Sequence, residues 1–278
     1  MFTQSLNAKQ LSHYQVTGPD YSVTFIESPE ELATLTGVIT VVGAGTNRLW
    51  ISRQKTTLIS LKQLNKIEFQ DDGFVRVGSG VLLPTLIKAA KKKERGGLEF
   101  TWPISATLGG ALAQNFGAYN THIGSFARSM TLFYPTSKKI ISVQIEDESD
   151  WFGYRKSRIK TDGLVLIEAT LKLDSLDPND IQLDLDAFQE QRASRYQLHH
   201  TCGSVFKNKP HISAGKLLDD CGLKGFRMGS VQTADGHANV IIADKDATTQ
   251  DIFDLICYLQ QTVVAKTGVS LELELSVY

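Results

Sequence analysis

The chain has 278 residues, of which 42% are apolar and 21% charged, so it can bury a substantial core as one large domain or as two to three small ones. Its 29 basic and 30 acidic residues nearly cancel, which argues against nucleic acid as a partner because no strong positive field surrounds the chain. The N-terminal residues are too polar for a secretory signal and no apolar stretch is long enough to cross a bilayer, so we expect a cytoplasmic protein without a membrane partner.

The first part of the chain is predicted to lead a strand into a glycine turn. The motif SPEEL at 28–32 is typical of a helix start, because a serine cap, a proline in the first turn and a glutamate form a capping box. An apolar run at 38–42 predicts a buried strand that enters the turn GAGTN at 43–47. Alternating residues on both sides of 71–73 predict a β-hairpin, and a helix is expected from about Pro84.

The middle of the chain combines a second glycine-rich run with predicted strands. The run at 104–125 is dense in glycine and small residues, which allow the backbone to approach another group closely. Strands are predicted near 129–135, 138–145 and 163–174. A cluster of turn-forming residues at 175–180 is the best candidate for a domain boundary.

The C-terminal part is predicted to hold helices and a closing strand. Helices are expected around 187–196, over 213–222 and over 249–266, and the last one has apolar residues on one face and a glycine after its end. Strict alternation of apolar and polar residues over 269–277 predicts a final β-strand.

The two glycine runs favour a cofactor that carries phosphate. Backbone amides of the turn at 43–47 can hold a phosphate, although the dinucleotide fingerprint G-x-G-x-x-G fails because Arg48 stands in its sixth place. The run at 104–125 has the same character, and two such runs in one domain favour a large cofactor between them. A crowded domain interface is the alternative interpretation.

The segment GSVFKNK contains Ser204, whose role its own neighbours leave open. The segment lacks both glycines of the pattern G-x-S-x-G at the required offsets from Ser204, so acyl transfer through a nucleophilic serine is not favoured. The alternative is a turn serine that bonds to nearby backbone.

Six motifs, in this order, resemble those of the UDP-N-acetylenolpyruvoylglucosamine reductases, flavoenzymes of peptidoglycan synthesis that are also called UDP-N-acetylmuramate dehydrogenases. The motifs run in register from Val41 to the C-terminus and are VVGAGTNRL, TLGGALAQNFGAY, FGYRKS, GSVFKNK, SAGKLLDDCGLKGFRMGSVQTADGHAN and LELE. No single motif is decisive, but all of them in register are.

The resemblance implies an α+β fold, in which a two-subdomain FAD-binding fold of the vanillyl-alcohol-oxidase/PCMH type precedes a C-terminal α+β substrate domain. The implied ranges are 1–62 and 63–176 for the FAD-binding subdomains and 177–278 for the UDP-sugar domain. The uninterrupted stretch between NFGAY and FGYRKS resembles the compact branch of the family, which lacks an extra substrate-covering loop. We expect a monomer.

The resemblance also implies noncovalent FAD and NADPH as cosubstrate. This type of fold holds the FAD pyrophosphate with loop backbone from both subdomains, which accounts for the missing dinucleotide fingerprint. By motif position, the implied FAD contacts are Gly43, Ala44, Gly45, Thr46 and Asn47 from the first subdomain, and Thr107, Gly109, Asn115, Gly117 and Ala118 from the second.

In this family a hydride passes from flavin N5 to the terminal carbon of an enolpyruvyl ether, and a proton must reach the adjacent carbon. The resemblance assigns the proton to Ser204, and the polarisation of the substrate carboxylate to Arg155 and Glu274. A guanidinium matches a carboxylate in bidentate geometry, whereas a glutamate must carry or share a proton to lie beside one. The implied substrate contacts are Tyr119, Tyr154, Lys207 and Asn208.

Some features leave alternatives open. Alternation cannot choose between Glu272 and Glu274 on the predicted strand, and only the family register selects the second. The glycine that usually precedes the second glycine run is Ala106 here, and its methyl group is expected to affect FAD binding. The alternative functions are a related FAD oxidoreductase that acts on another small acid and a noncatalytic homologue that binds flavin or UDP-sugar.

Overall fold

The computed structural model describes residues 1–52, 56–196 and 200–278, apart from the side chains of 195 and 196. The chain clusters into two compact units, each built from separate stretches of sequence. Unit 1 comprises Met1–Gln4, Ser22–Ala44 and Lys55–Glu190, and unit 2 comprises Ser5–Tyr21, Gly45–Gln54 and Gln191–Tyr278. This division differs from the three consecutive ranges expected from the sequence, and the boundaries after residues 62 and 176 stay a prediction.

Helices and short strands alternate along the described residues. The helices are α1 (Ala8–Leu11), α2 (Leu83–Lys91), α3 (Leu108–Gln114), α4 (Arg158–Thr161), α5 (Pro178–Tyr196), α6 (Ala214–Asp220) and α7 (Thr249–Thr267). The strands are β1 (Phe2–Asn7), β2 (Asp20–Phe25), β3 (Ile39–Val42), β4 (Arg48–Leu49), β5 (Thr57–Ser60), β6 (Ile67–Phe69), β7 (Phe74–Gly78), β8 (Arg95–Gly96), β9 (Gly117–Ala118), β10 (Thr121–His122), β11 (Ala127–Tyr134), β12 (Lys139–Gln144), β13 (Phe152–Gly153), β14 (Lys156–Ser157), β15 (Val165–Lys172), β16 (Asp174–Ser175), β17 (Arg227–Met228), β18 (Val231–Ala234), β19 (His237–Ala243) and β20 (Ser276–Val277). The helix start predicted at 28–32 opens a 3₁₀ turn, Pro29–Thr34, with the expected capping box.

Unit 1 contains a five-stranded antiparallel sheet in the order β12-β11-β15-β7-β6. The hairpin predicted around 71–73 is confirmed as the pair β6 and β7. Helix α2 buries Leu83, Leu86, Ile87 and Ala90, which lie at helical spacing and join the same apolar core as β7 and β15.

A second sheet carries the strand that enters the first glycine turn. Its order is β1-β2-β5-β3, and β2, β5 and β3 run parallel. Strand β3 confirms the apolar strand predicted at 38–42. Its neighbours in unit 1 are packed together by the buried side chains of Ile26, Ile59, Phe133 and Val165. The carboxyl end of β3 therefore leads out of a fixed core into the turn at 43–47.

Helix α5 is longer than the helix predicted around 187–196, since it begins within the turn-rich run at 175–180. Proline suits the first turn of a helix, because its missing amide would have no partner there. The early residues Ile181 and Leu185 are buried in the core of unit 1. No helix in the described parts of the chain is long and apolar enough to cross a membrane.

Unit 2 combines α6 and α7 with the three-stranded antiparallel sheet β17-β18-β19. Helix α7 begins at a capping box of Thr248 and Asp251 and ends at Gly268, whose φ of 72° suits glycine. The apolar face predicted for this helix is confirmed by its buried residues. They include Ile252, Leu255, Ile256, Leu259 and Val263.

The final strand predicted over 269–277 is wrong, because only Ser276–Val277 is a strand, paired in parallel with β4. The residues before it form no regular ladder, since Leu273 makes only an isolated bridge with Phe206 and the chain bends at 274–275. The amides of Glu274 and Leu275 both donate to the carbonyl of Val205, at 2.8 and 3.2 Å. Two consecutive amides on one carbonyl break the alternating pattern that an antiparallel ladder requires.

The buried face of α7 gives a test of the core of unit 2. Ile256→Ala removes a fully buried side chain and should lower the free energy of unfolding by about 2–5 kcal/mol. Val264→Ala is the matched control on the same helix, since Val264 is 45% exposed and should change it by less than about 1 kcal/mol. Urea unfolding followed by circular dichroism measures both, and equal losses would contradict this core.

Candidate active site

The carboxyl end of β3 brings the backbone of Gly43 against the start of α3, both in unit 1. A Cβ atom at Gly43 would lie 2.8 Å from Oγ1 of Thr107, the residue that caps α3. Thr107 is buried and its hydroxyl accepts a hydrogen bond from the amide of Gly110 at 3.2 Å. A side chain at position 43 would thus push against a fixed hydroxyl, so the first glycine turn is a place of close backbone approach.

A second close approach lies at Gly109 of α3. A Cβ atom there would lie 2.9 Å from Cβ of Ser79, and the Gly109 amide donates to the Ser79 carbonyl at 2.9 Å. The Ser79 hydroxyl is buried and has no hydrogen-bond partner among the described residues. An unsatisfied buried hydroxyl costs roughly 1–3 kcal/mol. Two close backbone approaches, at Gly43 and Gly109, therefore lie at the start of α3, and the second is next to a buried hydroxyl without a partner among the described residues.

The glycine turn itself is fixed through its carbonyls. Within unit 2, the carbonyl of Gly45 accepts from the amide of His13 at 3.0 Å and that of Asn47 from the amide of Ser276 at 3.2 Å. The φ of Gly45 is 73°, in the region that favours glycine. In the described parts of the chain, the amides of 43–47 donate no hydrogen bond, so these backbone donors suit an anionic group.

Asn115 ends α3 and ties together the backbone of neighbouring turns. Its φ is 43°, and its side chain is buried. Its Oδ1 accepts from the amide of Gly124 at 3.1 Å, and its Nδ2 donates to the carbonyl of Gly153 at 2.9 Å. The amide thus already has backbone partners on both sides, and its assignment as an FAD contact stays a prediction.

The bond to Gly153 holds the β13–β14 hairpin, whose turn presents Arg155. Arg155 has a φ of 53°, and its guanidinium carbon lies 5.7 Å from the ring centroid of Phe116 and 5.4 Å from that of Tyr154. A Cβ atom at Gly117 would lie 3.2 Å from Nη1 of Arg155. Gly117 therefore leaves the space that the guanidinium uses, and two positions from separate motifs meet in unit 1.

The tyrosines assigned to the substrate lie at the turns of two hairpins, β9–β10 and β13–β14. Tyr119 follows Ala118 at the turn between β9 and β10, with a φ of 53°, and its ring centroid lies 4.7 Å from that of Phe188. Tyr119 is 37% exposed and Tyr154 is 57% exposed. Both rings are therefore accessible, as a contact with a ligand requires.

Ser204 lies in unit 2 on a short extended segment, 203–207, rather than in a loose turn. On one side it forms an isolated bridge with Val240 of β19, and on the other side Phe206 forms a bridge with Leu273. Gly203 enters the segment with a φ of 72°. Ser204 is half-buried, so its hydroxyl stands on a backbone that is held from both sides.

Glu274 is the backbone neighbour of this segment. Its amide donates to the carbonyl of Val205 at 2.8 Å, and its own carbonyl accepts from Nδ2 of Asn47 at 3.1 Å. Glu274 is half-buried. Unit 2 thus brings three assigned positions together, since Asn47 of the glycine turn, Glu274 and Ser204 lie on consecutively bonded backbone segments.

The alternation of apolar and polar residues treats Glu272 and Glu274 alike, but the two side chains have different exposure. Its side chain is 67% exposed and forms an ion pair with Lys207, which holds the pKa of the Glu272 carboxyl below its ordinary value. The ammonium group of Lys207 is therefore paired with the carboxylate of Glu272. Asn208 uses its Oδ1 to accept from the amide of Ala214 at 2.9 Å, at the start of α6.

The alanine that replaces the usual glycine is accommodated inside the protein. Ala106 is 9% exposed and belongs to the apolar core of unit 1. Its carbonyl accepts from the amide of Leu83 at 2.9 Å. The methyl group therefore has core neighbours, which explains how the substitution is tolerated by the fold.

Two buried polar residues near the assigned positions were missed by the sequence interpretation. Ser79 lies between glycines in the motif GSG, and Asn239 lies within the apolar run of β19. An isolated polar residue in a buried strand requires hydrogen-bond partners, and that was the available signal. The residues that Ser79 and Asn239 contact are distant in sequence, so no local pattern could reveal these contacts.

Comparison with protein-family models matches both parts of the chain. Residues 31–140 match an FAD binding domain, and residues 194–278 match the C-terminal domain of UDP-N-acetylenolpyruvoylglucosamine reductase. The first range contains both glycine runs, and the second contains Ser204 and Glu274.

Several curated proteins are similar over most of their length. A UDP-N-acetylenolpyruvoylglucosamine reductase from Prochlorococcus marinus is 31% identical over 95% of this chain and 94% of its own. The one from Thermotoga maritima is 31% identical over 92% of each chain. The one from Clostridium tetani is 35% identical over 78% of this chain and 70% of its own.

A solved structure agrees with these matches. The crystal structure of UDP-N-acetylenolpyruvylglucosamine reductase from Thermus caldophilus superposes with a TM-score of 0.85 at 26% identity, covering 100% of this chain and 99% of that one. The α+β class and the FAD-binding fold expected from the motifs are confirmed, and FAD as the cofactor with them. The chain belongs to the UDP-N-acetylenolpyruvoylglucosamine reductase family.

Proposed function

We propose that the chain reduces UDP-N-acetylenolpyruvoylglucosamine to UDP-N-acetylmuramate, with FAD as bound cofactor, NADPH as reductant and Ser204 as proton donor. The observation that carries the proposal is the juxtaposition of Ser204 with Glu274 on bonded backbone segments of unit 2. Family membership supports the substrate and the flavin. The reaction takes place in cell-wall synthesis, and the cytoplasmic location and monomeric state expected from the sequence belong to the same proposal.

The glycine turns are proposed to hold FAD. When bound, the flavin supplies hydride transfer from NADPH to the enolpyruvyl double bond. Gly43, Gly109 and the amides of 43–47 would face its pyrophosphate, because these positions combine bare backbone with available donors. The Ser79 hydroxyl, buried without a partner among the described residues, is a further polar group for this ligand.

Ser204 is proposed to protonate the carbon that bears the substrate carboxylate. Addition of hydride to the terminal carbon of the double bond leaves negative charge on that carbon and its carboxylate. The Oγ–H bond of Ser204 then breaks as the new C–H bond forms, and the serine regains a proton from water. A serine hydroxyl is a very weak acid, so it serves only against a strongly basic carbon, and its position must be fixed.

Arg155 and Glu274 are proposed to act on the substrate carboxylate. The planar guanidinium of Arg155 can accept a carboxylate in bidentate geometry and stabilise the charge as it develops. A carboxylic acid form of Glu274 can donate to the same group without repulsion. The half-buried position of Glu274, unlike the exposed Glu272, favours sharing of a proton.

The remaining substrate contacts are proposed at the edge of these elements. Lys207 would exchange Glu272 for a phosphate of the UDP moiety, since an ammonium group pairs with either anion. Asn208 and the exposed rings of Tyr119 and Tyr154 would contact the sugar and the nucleotide. The two alternative functions, another FAD oxidoreductase and a noncatalytic homologue, predict respectively a different oxidant of the reduced flavin and no turnover.

Close backbone approach at Gly43 can be tested through the flavin. The purified protein should be yellow and should release FAD on acid precipitation. Gly43→Ala places a Cβ atom 2.8 Å from Oγ1 of Thr107, so FAD affinity should fall by at least about tenfold. Gly163→Ala is the control for backbone strain, because its φ is 65° but no atom lies within 4 Å of its Cβ atom, so it should lower stability and leave FAD affinity unchanged. Fluorescence titration of the apoprotein measures both, and equal affinities would remove the turn from the FAD site.

The role of Ser204 is tested in the two half-reactions. Ser204→Ala should leave reduction of the flavin by NADPH nearly unchanged, because that step does not use this proton. Reoxidation by UDP-N-acetylenolpyruvoylglucosamine should slow by at least about a hundredfold, which is roughly 2.7 kcal/mol of barrier. Ser204→Cys keeps a proton near the same place and should be faster than the alanine variant. Stopped-flow traces in which Ser204→Ala slows both halves equally, or neither, would reduce Ser204 to a structural residue.

The carboxylate clamp is tested at Arg155. Because its fork is expected to act where charge develops, Arg155→Ala should lower kcat more than it raises KM for the enolpyruvyl substrate. Arg155→Lys should restore little, since an ammonium group cannot bind a carboxylate in bidentate geometry. Steady-state kinetics that show a change in KM alone would contradict the proposal.

A further inference from the structure

We propose that Asn239 is a positioning residue for proton transfer, because its side chain fixes the backbone that carries Ser204. The inference rests on the proposed role of Ser204. Asn239 lies in β19, in the middle of unit 2, and touches neither reacting atom of the proposed step. Its function would be to set where the Ser204 hydroxyl stands.

Asn239 is a polar side chain in an apolar strand. It is 3% exposed, and its neighbours Ala238, Val240 and Ile241 are buried. A buried amide without hydrogen bonds would destabilise the fold, so its partners must be nearby. All four of its polar groups have a partner in unit 2. The main-chain amide donates to Nδ1 of His237 at 3.2 Å, and the other three groups bind the Ser204 segment.

These three bonds act on two consecutive residues. Oδ1 of Asn239 accepts from the amide of Phe206 at 2.9 Å, and Nδ2 donates to the carbonyl of Phe206 at 2.8 Å. The main-chain carbonyl of Asn239 accepts from the amide of Val205 at 2.9 Å. A side-chain amide that binds both polar groups of one residue replaces the partner that a regular β-ladder would supply.

The replacement is needed because the segment forms no regular ladder with β19. Ser204 and Val240 make only an isolated bridge. Gly203, the residue immediately before Ser204, has a φ of 72°, which residues other than glycine rarely adopt. Without the side-chain bonds to Phe206, β19 would hold the segment only through the isolated bridge and the main-chain bond between Val205 and Asn239.

The opposite edge of the segment is bonded to the chain that contains Glu272 and Glu274. The carbonyl of Val205 accepts from Glu274, and the amide of Lys207 donates to the carbonyl of Glu272 at 2.8 Å. Asn239 thus holds the segment from one side while the Glu274 backbone holds it from the other. A shift on the Asn239 side would move Ser204 relative to Glu274, and displacements of about 1 Å can slow a positioned reaction by about a hundredfold.

The chemistry of the amide defines the test variants. Asn239→Asp keeps the volume and the acceptor for the Phe206 amide, but it sets a second oxygen against the Phe206 carbonyl. Asn239→Leu keeps similar volume and removes both bonds. Thr233→Val is the matched control, since Thr233 is fully buried in β18 of the same sheet and its hydroxyl also bonds backbone, at Leu223 and Phe226.

The experiment combines an exchange measurement with the two half-reactions of the FAD-loaded protein. In both Asn239 variants, hydrogen exchange over 204–207 should accelerate, and reoxidation of the reduced flavin by UDP-N-acetylenolpyruvoylglucosamine should slow by at least about tenfold. Reduction by NADPH should change less than about twofold. Thr233→Val should lower the midpoint of thermal unfolding without slowing reoxidation. In a Ser204→Ala background, Asn239→Leu should cause little further loss, because both act on the same proton.

The outcomes separate this inference from the function on which it rests. Normal reoxidation in a folded Asn239→Asp protein, with stability lowered as in Thr233→Val, would make Asn239 structural only and overturn the inference alone. Additive losses in the double variant would overturn it as well. If Ser204→Ala leaves reoxidation unchanged, the proposed proton donor and its positioning residue both fall. If Asn239→Leu does not fold, Asn239→Asp decides, since it differs only in one amide group.

Discussion

The hydrogen bonding of the 203–207 segment is the constraint on which the candidate site of unit 2 depends. This segment has no strand partner in the ordinary sense, yet its backbone polar groups must be satisfied because they are partly buried. The segment is bonded by the side-chain amide of Asn239 on one edge and by an irregular chain, 272–274, on the other. Because this irregular chain contains Glu274, satisfying the backbone also fixes the backbone of Glu274 next to the segment that carries Ser204. The hydrogen bonds that satisfy the backbone of this segment therefore also fix the backbone positions of Ser204 and Glu274.

Unit 1 solves a similar problem with Asn115. Its amide binds Gly124 and Gly153, which belong to different turns, and the second of these turns presents Arg155. In both units a buried asparagine uses one acceptor and one donor to hold backbone that no ladder holds. Such a side chain is suited to this because it mimics a peptide group. The candidate residues on short hairpins and loops thereby gain the fixed backbone that longer strands would give them.

The sequence predicted what depends on local periodicity. Helix α7, strand β3 and the β6–β7 hairpin follow from apolar spacing and turn residues, and the family followed from motifs in register. The prediction of the final strand was wrong because its alternation reflects burial of Leu271 and Leu275 on an irregular chain, in which two consecutive amides bind the carbonyl of Val205. Val205 lies far from these residues in sequence, so no local pattern could show this irregular hydrogen bonding. The same limit hid Asn239, whose partners lie about thirty residues earlier in the chain.

The contrast between the two glutamates shows how packing separates residues that a pattern treats alike. Glu272 stands in water beside Lys207, and a lowered pKa keeps it ionised, so the pair persists at neutral pH and is lost only as acid protonates the carboxylate. Exposed pairs of this kind contribute at most about 1 kcal/mol, so a phosphate of a UDP-sugar, with its single negative charge, can take the place of the carboxylate. Glu274 is half-buried, and its backbone is anchored between Asn47 and Val205. One glutamate is therefore suited to yield its partner to a ligand, and the other to stay in place while a proton moves.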